Sequence, residues 1–211
     1  PVSPTSLGRA AGLAVGSGVA LTAYAAWEAR AYTLRRGQVP ALPPGAPTLR
    51  VLHLSDLHML PQQRRKQEWV RGLAGLEPDL VVDTGDNLAH PDAVPVVCEA
   101  LGPLLGVPGV FVHGSNDYFA PSLRNPLRYV LPDDGSRHTH TPPLPWPELS
   151  RRFVAAGWRD LTNVRDTVEV RGVRLALAGV DDPHLGYDDL AAVRGPADAD
   201  ADLRLGVTHA P

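Results

Sequence analysis

Cysteine, methionine and lysine are all but missing from this chain, which holds one Cys, one Met and, among its 20 basic residues, the single lysine Lys66. With Cys98 alone, no disulfide can close within the chain and no thiolate metal cluster can form. Cys98 sits in the apolar stretch 94–105 and reads as a buried small hydrophobe. An excess of positive charge is missing as well. The net charge of -3 and a pI near 6.2 leave no footprint for a phosphate backbone, so no nucleic-acid partner is expected. Internal repeats are absent too. What is present, 44% hydrophobic and 20% charged residues over 211 positions, suits one globular domain of ordinary size.

Charge is also absent from residues 10–27, an apolar stretch just long enough, as a helix, to cross a hydrocarbon core of ~30 Å. A membrane anchor is expected there. Gly8, Gly12 and Gly16 recur at the spacing that lets transmembrane helices approach closely. Ala23-Tyr24-Ala25 also fits a small-x-small cleavage site, so a cleaved secretory signal stands as the second reading. Arg30, Arg35 and Arg36 after the stretch, against Arg9 before it, lean the following domain toward the cytoplasmic side, with the side left open. The chain thus divides into a hydrophobic segment (1–38), a Pro-rich spacer VPALPPGAP (39–47) too stiff for helix or central strand, and a domain (48–211).

Within that domain short apolar runs alternate with helical patterns. Strands are expected over 50–54, 80–83 and 110–113, with helices over 62–76 and 93–105 between them, an order that builds a parallel sheet by crossover connections. Residues 120–147 have no periodicity and form a long loop, in which His138 and His140 belong either to a lid or to a solvated surface. A helix over 148–156 follows. Residues 167–170 and 174–180, split by Gly172, form a hairpin, which makes the sheet system mixed, and a last strand covers 203–207.

Four of these strands end in residues able to do chemistry. The first runs into Asp56-Leu57-His58, the second into Gly85-Asp86-Asn87, the third into Gly114-Ser115-Asn116-Asp117, and the last into Thr208-His209. Open α/β sheets place their sites at the carboxyl ends of strands. Oxygen and imidazole donors without cysteine suit Mn, Fe or Zn, and too many converge for one tetrahedral ion, so two divalent ions with Asp86 as the bridging carboxylate are expected.

In order and spacing these motifs resemble the calcineurin-like metallophosphoesterase superfamily, from residue 50 to the end of the chain. The resemblance implies an αββα sandwich of mixed sheets and hydrolysis of phosphate mono- or diesters by a hydroxide that two metals activate. It implies that Asp56 and His58 hold the first ion, that Asp86 bridges, and that Asn116 with His209 holds the second, with Asn87, Ser115 and Asp117 beside them. The substrate class it implies is a phosphate ester met at a membrane through the N-terminal segment, with lipid or cell-envelope phosphates, nucleotides and generic phosphodiesters all left open.

Two departures stand out. The family's terminal G-H-x-H does not occur, so a chain cut before that motif, with weakened metal binding and activity, is expected. Gly-Ser-Asn-Asp also replaces the usual Gly-Asn-His-Asp, which puts either Ser115 or, through a one-residue bulge, Asn116 on the ligand position, the amide oxygen being the better ligand. The family's catalytic histidine has no counterpart; His113 is the one weak candidate, and a non-catalytic metal-binding scaffold is the alternative reading. His53 reads as a hydrogen-bonded core histidine, and Asp181 and Asp182 as turn or cap residues.

Overall fold

The structure is a computed structural model that describes residues 4–121 and 141–210, with side chains in the N-terminal helix from residue 16 onward. His138 and His140 lie outside the described residues. The chain separates into two compact units, Pro1–Gln38 and Val39–Pro211. The first is the helix α1 (Pro4–Glu28). The expected anchor at 10–27 lies partly outside the residues whose side chains are described, and among the described residues no helix is long and apolar enough to cross a membrane.

The second unit runs β1 (Val51–Leu54), α2 (Arg64–Gly72), β2 (Leu80–Asp83), α3 (Ala93–Leu101), β3 (Gly109–Phe111), the single turn α4 (Ser115–Tyr118), α5 (Trp146–Ala155), β4 (Arg159–Asp160), β5 (Val164–Val170), β6 (Val173–Gly179), α6 (Leu190–Val193) and β7 (Leu203–Val207). Two helices are shorter than their patterns suggest. The expected helix 62–76 tightens to a 3-10 turn at Leu73–Leu76, where Gly72 and Gly75 weaken the α ladder. The expected helix 93–105 stops at Leu101 because Gly102-Pro103 cannot continue it.

β1, β2, β3 and β4 form a parallel sheet in chain order; β5, β6 and β7 form a second sheet, antiparallel between β5 and β6 and parallel between β6 and β7. Strand alternation splits the apolar side chains between two cores. Leu52, Leu54, Val81 and Phe111 join Val70, Val97, Leu101, Leu149 and Phe153 of the helices. Leu80, Val82, Val110 and Val112 meet Val173, Leu175, Leu177 and Val207 of the second sheet. Each such side chain, fully buried, contributes about 1.5–3 kcal/mol. In register, Leu54 lies opposite Asp83 and Asp83 opposite Phe111, so the first three strands end flush and deliver their loops to one rim.

Candidate metal centre

At that rim the backbone leaves its ordinary conformations. Asp56 (φ 55°), His58 (φ 39°) and Asp86 (φ 58°) all occupy left-handed space, which costs a non-glycine residue on the order of 1 kcal/mol each. Neighbouring loops hold them there. Asp56 N–H donates to the Gly85 carbonyl (2.9 Å), His58 N–H to Asp86 (2.8 Å) and Met59 N–H to Asn87 (2.8 Å), which continues the β1–β2 ladder past the strands. Half-buried Lys66 secures the same loop by donating to the Leu57 carbonyl at 2.8 Å, and burial lowers its pKa.

Asp117 does more of this work than its position in the motif suggests. The carboxylate is fully buried and accepts four backbone N–H groups, from Asp86 (2.8 Å), Asn87 (2.8 Å), Leu88 (3.1 Å) and Gly114 (3.2 Å). It therefore ties the β3 turn to the β2 turn and sets the direction of the Asp86 side chain. Two glycines make this closeness feasible. A Cβ on Gly114 would lie 2.3 Å from Asp86 Oδ1 and 2.8 Å from the His209 ring, and one on Gly85, at φ +90°, 2.3 Å from Gly114 N.

The polar side chains then converge on Asp86. His58 Nε2 and His209 Nε2 each stand 3.5 Å from its Oδ2, and Asp56 Oδ1 stands 3.5 Å from His58 Nε2. Donor atoms of Asp56, His58 and Asp86 lie within 4.8 Å of one another, a group that could hold a metal ion. His209 arrives from β7 of the second sheet with Nδ1 2.8 Å from the Thr84 carbonyl, which assigns the proton to Nδ1 and leaves the Nε2 lone pair toward Asp86. Asn116, from α4, donates its backbone N–H to Asp86 Oδ1 (2.8 Å) and its amide to Oδ2 (2.7 Å). Ser115 is half-buried and makes no hydrogen bond through its hydroxyl to Asp86.

Burial pushes the Asp86 carboxyl above the ordinary range, against Asn116 and His209, which lower it. For His209, burial favours the neutral ring, but Asp86 and the Thr84 carbonyl outweigh it and hold the pKa above that of a free imidazole. Beneath lies a buried polar layer. Asp83 accepts from Gly85 N–H (2.9 Å) and the Asn87 amide (3.0 Å), its second oxygen is unpartnered, and burial pushes its pKa up to about 7.

The structure sorts the remaining expectations. His113 does not face the rim: it is 1% exposed, packs edge-on against Phe111, Tyr118 and Trp146, and shares a 2.7 Å hydrogen bond with Ser150. Alternation along β3 puts it on the helix side with Phe111. His53 is hydrogen-bonded, to Thr84 Oγ1 at 2.9 Å, but exposed rather than in the core, because β1 is the sheet's edge. Cys98 is only half-buried, packed against the helix-side core. Asp182 caps a turn through His184 N–H, as expected, but Asp181 accepts the Tyr118 hydroxyl at 2.8 and 2.9 Å. Sequence reasoning missed Asp83, Tyr118 and the role of Asp117, since a carboxylate's backbone partners leave no residue pattern.

Residues 49–211 match the family model of calcineurin-like phosphoesterases. No curated protein matches. Among solved structures the chain is similar to the crystal structure of the Thermus thermophilus protein TT1561, with 16% identity and a TM-score of 0.33; the match covers 75% of this chain and 57% of that one. The family match spans most of the chain and covers all four strand ends, so this chain belongs to the calcineurin-like phosphoesterase family.

Proposed function

We propose that the protein hydrolyses phosphate mono- or diesters at a two-metal centre in which Asp86 bridges, Asp56 and His58 hold one ion, and Asn116 and His209 contribute to the other. The observation that carries this reading is the single carboxylate oxygen, Asp86 Oδ2, with two imidazole Nε2 atoms at 3.5 Å, one from each sheet. Neutral imidazoles and carboxylates suit Mn, Fe or Zn. Bound ions of that kind supply Lewis-acid charge to a phosphoryl oxygen and acidify a water.

The chain's own residues prepare that site. Asp117 and the Asp86–His58 backbone bond fix the carboxylates in place, and the Thr84 carbonyl selects the His209 tautomer with Nε2 free. Rotation of the Asn116 amide about its last torsion exchanges its nitrogen for its oxygen in the same position, which favours Asn116 over Ser115 as the ligand. With His113 in the core, no histidine of the β3 turn reaches a leaving group. The protein is therefore expected to favour leaving groups of low pKa, as in aryl esters, over alkyl phosphates.

Hydrolysis of an aryl phosphodiester with added manganese, by the protein expressed from its whole coding sequence, tests this beside Asp86→Asn. Activity that disappears in the variant supports the reading. Metal bound without turnover in the parent protein would instead favour a non-catalytic scaffold, for which the Gly-Ser-Asn-Asp turn is the motive.

A further inference from the structure

We infer that Tyr118 is a positioning residue whose hydroxyl, bound to Asp181, sets the spacing between the two halves of the metal centre. The inference rests on the metal reading above. Four of the five candidate ligands come from the first sheet and its turns, but His209 comes from the second. Their usefulness depends on how closely the two rims stand, because a coordinate bond tolerates displacements of only about 0.2 Å.

Among the described residues, two hydrogen bonds cross between the rims near the site, beside the 3.5 Å approach of His209 Nε2 to Asp86 Oδ2. One is His209 Nδ1 to the Thr84 carbonyl. The other is Tyr118 Oη, which donates to the Asp181 carboxylate just after β6, at 2.8 and 2.9 Å from its two oxygens. Both residues are 6% exposed, so water does not compete well for this contact, and Asp181 faces no Arg or Lys within ion-pair distance among the described residues. Tyr118 is also two residues after Asn116 and one after Asp117, on the same turn. The turn that carries its ring thus also carries the residues that grip Asp86.

Each end of the contact is braced. The Tyr118 ring packs edge-on against His113, Trp146 and Tyr187 at 5.0–5.5 Å between centroids. On the other side Asn163, at φ 56°, accepts from Asp181 N–H (3.1 Å) and Asp189 N–H (2.8 Å) and donates to the Tyr187 carbonyl (2.9 Å). A strut braced at both ends transmits position. A hydroxyl lost from its middle leaves the ring packed and the fold intact, but frees the rims to drift.

The test is a manganese titration, by calorimetry or by the loss of the free-ion resonance signal, of the parent protein, Tyr118→Phe, Asp181→Asn and the double variant, each with its thermal midpoint. Tyr118→Phe is expected to remain folded and to bind manganese about 10–100-fold more weakly, the range for outer partners of metal ligands. Asp181→Asn keeps an oxygen for the hydroxyl and is expected to stay within about threefold of the parent, while the double variant falls to the level of Tyr118→Phe. A Tyr118→Phe protein that melts earlier but binds manganese as the parent does would reduce Tyr118 to a packing residue and overturn the inference. A parent protein that binds no manganese would overturn the metal reading first, and this inference with it.

Discussion

The rim of the first sheet presents Asp56, His58 and Asp86 on three strained, left-handed backbones laced by hydrogen bonds, whereas the rim of the second presents His209 without a positive φ and with one carbonyl partner. The contrast follows from the sheets. The first has helices on one face and a second sheet on the other, and backbone hydrogen bonds between the loops at its strand ends hold the costly conformations. The outer face of the second carries Arg165, Thr167, Arg174 and Arg204, which are not in its core. The first rim is built to fix geometry; the second supplies a candidate ligand, His209, that must be brought to it.

Substitutions can break that contrast. The largest effect is expected from Gly114→Ala, whose methyl would occupy space 2.3 Å from Asp86 Oδ1: manganese affinity is expected to fall by more than about 100-fold, and an unchanged affinity would show that the rim yields. Asp117→Asn comes next. It leaves some of four N–H donors facing an amide N–H, and a loss of about 3 kcal/mol is expected in urea unfolding.

Acidity sharpens the same difference. Asp83, buried beneath the first rim, has its pKa raised from 3.8 to about 7, so the folded state holds a proton that the unfolded state releases. Its contribution to stability is present in full below about pH 4 and is lost as pH rises through about 7. The metal-free parent is therefore expected to lose more stability between pH 4 and 7 than Asp83→Asn, and parallel urea midpoints across that window would contradict this. The smallest effect belongs to the second sheet's outer face: Arg174→Ala, which breaks an exposed pair with Asp198, is expected to change stability by less than about 0.5 kcal/mol.

Much of the first sheet could be read directly, because a strand buried on both faces is a run such as Leu80-Val81-Val82, and its flush end advertises the motif after it. The strands at 80–83 and 203–207 agree with their patterns to the residue. Asp56, His58, Asp86, Asn116 and His209 do come together, since chain order and the parallel topology leave them one rim to share. What was illegible depends on contacts distant in sequence. The face that His113 takes turns on which side of β3 carries helices, and the Tyr118–Asp181 bond spans 63 positions.

The central claim is that one carboxylate, Asp86, joins a metal site of the first sheet to one completed from the second. The most direct measurement is the low-temperature electron paramagnetic resonance spectrum of the manganese-loaded protein beside His209→Ala. The account predicts a multiline spectrum of two coupled ions in the parent and an isolated-ion spectrum in the variant. The same isolated-ion spectrum in both, or no bound manganese in either, would contradict it.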